Sequence, residues 1–247
     1  MNLFEEFEKN YFKGFKLSNW NESISILKEK FYKKNLSLER YDSNFFFYEN
    51  NSHLLYYFIN NTNKKNKLKP SFIKISIKHE KHIFNHLNFI HLHCFNIELE
   101  CQEMHLKNKN IILHDFPFIV QANIQDYEQI YNFFLKHFSK DFLFYFSKND
   151  IKNKINQILV YKENGIIQGA LIYTLTIKSA FLDFIAVNKN LHYKNVAFAL
   201  LNTYFKKNFN THLFKLFVSI HNLKALKFYQ RAGFTLNTAK ILYYKNF

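Results

Sequence analysis

Two segments in the last hundred residues carry residue types and spacings that could do chemistry. They are LHYKNVAFALL at 191–201 and HNLKALKFYQRAGF at 221–234. Each follows an apolar run that reads as a strand, the first ending at Val187 and the second near Ile220. At a strand-to-helix corner the first backbone N–H groups lack intrahelical acceptors and sit at the positive end of the helix dipole, where a phosphate is held well. Two such corners roughly thirty residues apart, with the ionisable Tyr229 close behind, suggest a phosphate-rich cofactor beside a proton donor.

The second segment is the more specific. Asn222 stands where an N-cap is needed, because its side-chain oxygen can accept from the first helical turn. Leu223, Leu226 and Tyr229 or Gln230 follow at helical spacing. Gly233 is placed to end the helix in a left-handed conformation, and Phe234 begins the next apolar segment. In the first segment Val196, Ala199, Leu200, Thr203 and Tyr204 have helical periodicity. Asn195 precedes them and tolerates positive φ better than most residues. Lys194 adds a positive charge.

These blocks resemble the GNAT superfamily, the acyl-CoA-dependent N-acyltransferases. Asn222, Ala225, Tyr229, Gly233 and Phe234 fall on the family's second pattern. Its first pattern is Arg or Gln, two residues, Gly, one residue, then Gly or Ala. Here His192 replaces the Arg or Gln, Tyr193 and Lys194 follow, Asn195 replaces the first Gly, and Val196 precedes the accepted Ala197. The backbone donors survive these substitutions, since any residue but proline supplies one. The resemblance implies acetyl-CoA as co-substrate, held by Ile185, Ala186 and Val187, by His192, Tyr193, Lys194, Asn195, Val196 and Ala197, and by Asn222. It also implies an oxyanion donor from the backbone around Ile185–Val187, and Tyr229 as the acid for the leaving thiolate. A phenol with pKa near 10 is roughly matched to an alkyl thiol. For the base, Asp183 is the sole carboxylate in that strand, and strand alternation places it with Phe181, Ile185 and Val187. A water-relayed base, His192, and a purely hydrogen-bonding Asp183 stay open.

The elements that must position these residues follow in order. Phe118–Ala122 reads as a first strand, Asp126–Ser139 as a helix with Ile130, Phe133, Phe134 and His137 on one face, and Lys148–Ile155 as a short helix. Gln157–Glu163 and Ile166–Leu175 form a hairpin across Asn164-Gly165, a type I′ signal. Ala180–Val187 is the fourth strand and Leu213–Ile220 the fifth, and the resemblance implies a splay between them after Val187. Thr235–Leu236 and Ile241–Tyr244 close the sheet. The expected fold is α+β, a mixed and mainly antiparallel GNAT sheet flanked by helices over 116–247, with a smaller GNAT-like half over 1–115. Upstream, Phe45–Tyr48 and Leu54–Ile59 read as a hairpin, Phe72–Ile77 as a strand, His79–Phe89 as a helix and Ile97–Cys101 as a strand. That order echoes the middle of the downstream unit. The layout resembles the dTDP-fucosamine N-acetyltransferase type of sugar-nucleotide enzyme.

Composition bounds the remainder. The 247 residues carry a formal net charge of +15, with 19% aromatic residues, four Gly and two Pro. Such charge favours anionic partners. No run approaches the roughly 18–20 apolar residues of a membrane helix, and Glu5, Glu6 and Glu8 are unlike a basic secretory leader. Cys94 and Cys101 make no disulfide framework, so a reducing cytoplasm fits. His79, His82, His86, His91, His93 and His105 cluster near the cysteines, but without the spacing of a metal site, and no metal is expected. The leading reading is an acetyl-CoA-dependent N-acetyltransferase acting on a small-molecule amine, an amino sugar or sugar nucleotide above all. No nucleic acid or membrane partner is expected, and a homodimer is compatible. The alternatives are acetylation of a protein N-terminus or lysine, and a non-catalytic GNAT-fold module binding an anionic ligand or nucleic acid. Tandem aminoacyl transfer needs two similarly sized halves and fits less well.

Overall fold

The computed structural model describes residues 2–79, 81–108, 111–189, 191 and 194–247. The chain divides into two compact units. The first comprises the residues up to Gln102 with Ser219–His221 and Thr238–Phe247, and the second comprises Glu103–Val218 and Asn222–Asn237.

The first unit opens with α1 (Leu3–Lys13), started by a reciprocal cap in which Asn2 accepts from the Glu5 N–H and Glu5 accepts from that of Asn2. Then come β1 (Leu17–Ser18), α2 (Ile24–Tyr32) capped by Ser23, β2 (Leu36–Tyr41), β3 (Asn44–Glu49) and β4 (Leu55–Ile59). These strands form an antiparallel sheet in the order β1-β4-β3-β2. The run Phe45-Phe46-Phe47-Tyr48 in β3 is buried throughout because both faces of the sheet are covered. Successive strand side chains point to opposite sides. Phe45 and Phe47 join Phe4, Phe7 and Leu27 from the helices, while Phe46 and Tyr48 join Tyr57, Ile75 and Phe89. β5 (Phe72–Ile77), α3 (Lys81–Leu92) and β6 (Asn96–Lys107) follow, the last passing into the second unit.

The second unit continues with β7 (Ile119–Gln121), α4 (Tyr127–His137), α5 (Lys148–Asn153), β8 (Ile158–Glu163), β9 (Ile166–Leu175), β10 (Ser179–Val187), α6 (Val196–Lys207), β11 (Leu213–Ser219), α7 (Leu223–Arg231) and β12 (Thr235–Lys245). Its strand order is β12-β6-β11-β10-β9-β8-β7. β7 to β10 are antiparallel and β10 with β11 is parallel, joined by the crossover helix α6. Asn164 and Gly165, at φ 50° and 77°, make the primed turn between β8 and β9. On α4, Ile130, Phe133 and Phe134 are buried, whereas His137 is exposed and reaches Asn188.

The compact units part within β6, and the chain returns to the first unit through 219–221 and 238–247. Two expectations on layout change. The closing strands are one strand, β12, because residues 237–240 hold neither Gly nor Pro to turn the chain. α1 and α2 also frame the first sheet, where the sequence pattern predicts only strands and one helix. No helix among the described residues is long and apolar enough to cross a membrane.

Candidate active site

β10 and β11 are in register from Ser179↔Leu213 to Leu182↔Leu216, and no further, although both strands run on. The splay therefore begins after Leu182 and not after Val187. Its cause lies one residue along. Against β9, Leu182 faces Tyr173 and Phe184 faces Ile172, which leaves Asp183 as the extra residue of a β-bulge. A bulge sharpens the local twist and bends its strand, here away from β11.

The bulge also overturns the expected face. Ala180 and Leu182 lie in the core under α6, and Ile185 and Val187 pack against the same core. Phe184 and Ala186 belong to the core on the other side, with α4 and α5. Asp183 is bonded to Thr174, the register partner of Phe181. Asp183 thus shares a side with Phe181 and Phe184, while Ile185 and Val187 have changed sides. An inserted residue reverses strand parity beyond it.

The corner after Val187 presents backbone donors at the head of α6. α6 opens at Asn195, which sits at φ 67° and ψ 21°, the left-handed conformation anticipated for the residue standing in place of glycine. Its carbonyl accepts from the Ala199 N–H at 2.9 Å, so the N–H groups of Val196, Ala197 and Phe198 head the helix without intrahelical acceptors. Lys194 is exposed beside them. His192 and Tyr193 lie outside the described residues. Gly169 on β9 lets α6 settle close to the sheet: a Cβ there would lie 3.0 Å from Val196 Cγ1, 3.3 Å from Leu200 Cδ1 and 3.5 Å from Val187 Cγ2. Beyond Leu182, the register gives the β10 backbone groups that point toward β11 no ladder partner there. Donors at a helix head and along an open strand edge suit the pyrophosphate and amide groups of acetyl-CoA, so the residues present fit that molecule.

α7 follows the sequence reading closely. Asn222 Oδ1 accepts from the Ala225 N–H at 3.0 Å. At the other end the Gly233 N–H donates to Gln230 and the Phe234 N–H to Tyr229, each at 3.0 Å, with Gly233 at φ 94°. This is a complete Schellman motif. Between these caps Tyr229 is the helix's buried residue, 5% exposed, packed on Phe228 and Phe234. Burial pushes its phenol well above the ordinary value, so it carries its proton at neutral pH.

Tyr204 on α6, which the sequence pattern marks only as part of a helical stripe, shares the core with Tyr229. It is fully buried, and its hydroxyl has no hydrogen-bond partner. Its pKa is driven up first by burial and then by the neighbouring Asp183, Tyr173 and Tyr229. The sequence signal was a phenol at a position where the stripe calls for an aliphatic residue.

Asp183 itself sits in a polar chain that the sequence did not show. Thr174 Oγ1 donates to Asp183 Oδ2 at 2.6 Å, Lys154 Nζ donates to Thr174 Oγ1 at 2.6 Å, and the Tyr145 hydroxyl lies 3.3 Å from Asp183 Oδ1. These residues come from β9, the end of α5 and the α4–α5 connection, so no linear spacing announces them. The upstream histidines have other work. His93 Nδ1 faces the Phe89 carbonyl at 2.9 Å while its Nε2 accepts from the Asn66 N–H at 3.0 Å, and His86 is bonded to the Tyr57 hydroxyl. Among the described residues no three or more His, Cys, Asp and Glu side chains gather as a metal site.

Residues 123–234 match the model of the Acetyltransferase (GNAT) family. No curated protein sequence matches the chain. Among solved structures, it is similar to a GCN5-related N-acetyltransferase from Sphaerobacter thermophilus at 12% identity, covering 91% of this chain and 85% of that one with a TM-score of 0.55. A GNAT-family acetyltransferase from Colwellia psychrerythraea is similar at 15% identity over 93% and 99%, with a TM-score of 0.52. A tandem GNAT protein from the clavulanic acid biosynthesis pathway is similar at 6% identity over 85% and 83%, also with a TM-score of 0.52. At these identities the likeness is one of fold, and it extends to a two-half layout. With the capped helix around Tyr229 and the splayed strands beside α6, these findings give residues 123–234 a GNAT acetyltransferase domain, in a chain that has the GNAT fold.

Proposed function

We propose that the protein is an acetyl-CoA-dependent N-acetyltransferase acting on a primary amine of a small molecule. The observation that carries this is the opening of β10 from β11 after Leu182, flanked by the head of α6 and by the buried Tyr229. The backbone N–H groups of Val196 and Ala197, with Lys194, hold the pyrophosphate. Backbone N–H groups of Ile185–Val187 steady the acyl arm and donate to the carbonyl oxygen as charge builds on it. Asp183 takes the proton of the attacking amine. Tyr229, protonated at neutral pH, returns one to the departing sulfur. The acceptor we favour is an amino sugar or a nucleotide-linked amino sugar, in keeping with the net charge of +15. The free thiols of Cys94 and Cys101 suit a reducing cytoplasm.

Replacing Asn195 by proline tests the cofactor corner. Proline cannot adopt φ 67°, so the first turn of α6 must distort. Calorimetry should show CoA affinity falling at least tenfold. Undiminished CoA binding in that variant would refute the assignment.

A further inference from the structure

In the chain from Lys154 through Thr174 to Asp183 each hydrogen bond is donated toward the carboxylate. A lysine ammonium has three donors and no acceptor. At 2.6 Å it must therefore donate to Thr174 Oγ1. The hydroxyl's single hydrogen is then left for its other close neighbour, Asp183 Oδ2, also at 2.6 Å. That oxygen accepts the hydroxyl's hydrogen, as an ionised carboxylate does. Lys154 is set in place by two further contacts: its Nζ lies 3.4 Å from Gln157 Oε1 and 5.3 Å from the centre of the Phe146 ring. The lysine is half-buried and bonded to a hydroxyl rather than to a carboxylate. Of the other charged groups on this side of the sheet, Lys215, register partner of Phe181, is held by Glu103 at 2.9 Å, and Glu103 accepts from Asn237 at 2.8 Å. Tyr145 meets Asp183 from the α4–α5 connection.

We propose that Thr174 and Lys154 are positioning residues for Asp183, relaying the lysine charge through the threonine hydroxyl so that the bulged carboxylate stays ionised and fixed at the mouth of the splay. The proposal rests on the acetyl-transfer reading only for its purpose, which is a base ready to accept the amine's proton. Oriented hydrogen bonds in series polarise one another, so the effect of Lys154 reaches the carboxylate without direct contact. The bulge supplies the geometry, because without the extra residue the side chain at 183 would not lie beside Phe184 on the same face.

The test is a pH titration of the Asp183 carboxyl carbon by 13C NMR in the full chain. Hydrogen bonds and charges that favour the carboxylate lower its midpoint. Thr174→Val should raise the midpoint by about one unit. Lys154→Met, which alters a half-buried residue at the rim of the core, should raise it as well. Thr174→Ser and Lys154→Arg should stay near the wild-type midpoint, a rescue that a packing role would not give. Wild-type midpoints in both Thr174→Val and Lys154→Met would overturn the proposal, as would failure of Thr174→Ser to restore the midpoint. CoA calorimetry on the same wild-type protein judges the acetyl-transfer reading separately.

Discussion

The two units run through the same series of elements. Hairpin, strand, helix and strand occur as β3–β4–β5–α3–β6 in the first and as β8–β9–β10–α6–β11 in the second. In the second, the strands on either side of the helix are neighbours that pair for four residues and then part. In the first, β12 lies between the corresponding strands, in antiparallel register with β5 from Lys240↔Ile77 to Lys245↔Phe72. One series leaves a strand edge open beside its helix, and the other has that place filled. Element order alone therefore does not make a cofactor site in this fold. The opening depends on what occupies the space between two strands.

The comparison can be broken most sharply at Tyr229. Tyr229→Phe should lower turnover by about 10²–10⁴-fold, the usual worth of a general acid, with CoA affinity unchanged. Steady-state rates alongside calorimetry decide this. A wild-type rate with chemistry limiting would leave direct release of the thiolate. Next in size is the filled gap. Leu242 in β12 is 7% exposed, opposite Ile75, so Leu242→Ala should cost about 2–5 kcal/mol in urea unfolding. CoA binding by the second unit should persist below the transition. Loss of CoA affinity without loss of stability would mean that the first unit serves the cofactor too.

The smallest expected effect concerns pH. Burial, helped by the nearby charge of His82, depresses His86 from 6.5 to about 4. Between those values the unfolded chain binds a proton that the folded chain does not. This contribution to stability is therefore full above about pH 6.5, and it is lost as pH falls toward 4. Thermal unfolding of wild type and His86→Gln across that range should converge as pH drops, by about 2–4 °C per kcal/mol lost. Parallel curves would show that His86 does not titrate in this way.

What was legible in the sequence was what depends on a few neighbouring residues. Asn195, Asn222, Gly233 and the Asn164-Gly165 turn each carry a backbone preference of their own, and all four occur in the expected conformations. The caps at Asn2 and Ser23 obey the same rule and could have revealed α1 and α2. The bulge at Asp183 could not be read that way, because it exists only relative to the register with β9. Thr174 and Lys154 were hidden for a similar reason, since they meet Asp183 from separate elements. The placement of β12 was hidden too: its alternation shows a strand but not the strands it joins.

That placement has a consequence for how the molecule is made. Residues 72–77 leave the ribosome long before residues 240–245, with which they pair. The first unit must then wait, its sheet edge at β5 unsatisfied, while the whole second unit is synthesised. Pairings so distant along the chain close slowly, and exposed strand edges invite association with other chains meanwhile. Completion of the first unit should accordingly wait for residues 240–245. A ribosome stalled before Lys240 would hold a first unit whose residues 72–77 lack this partner strand.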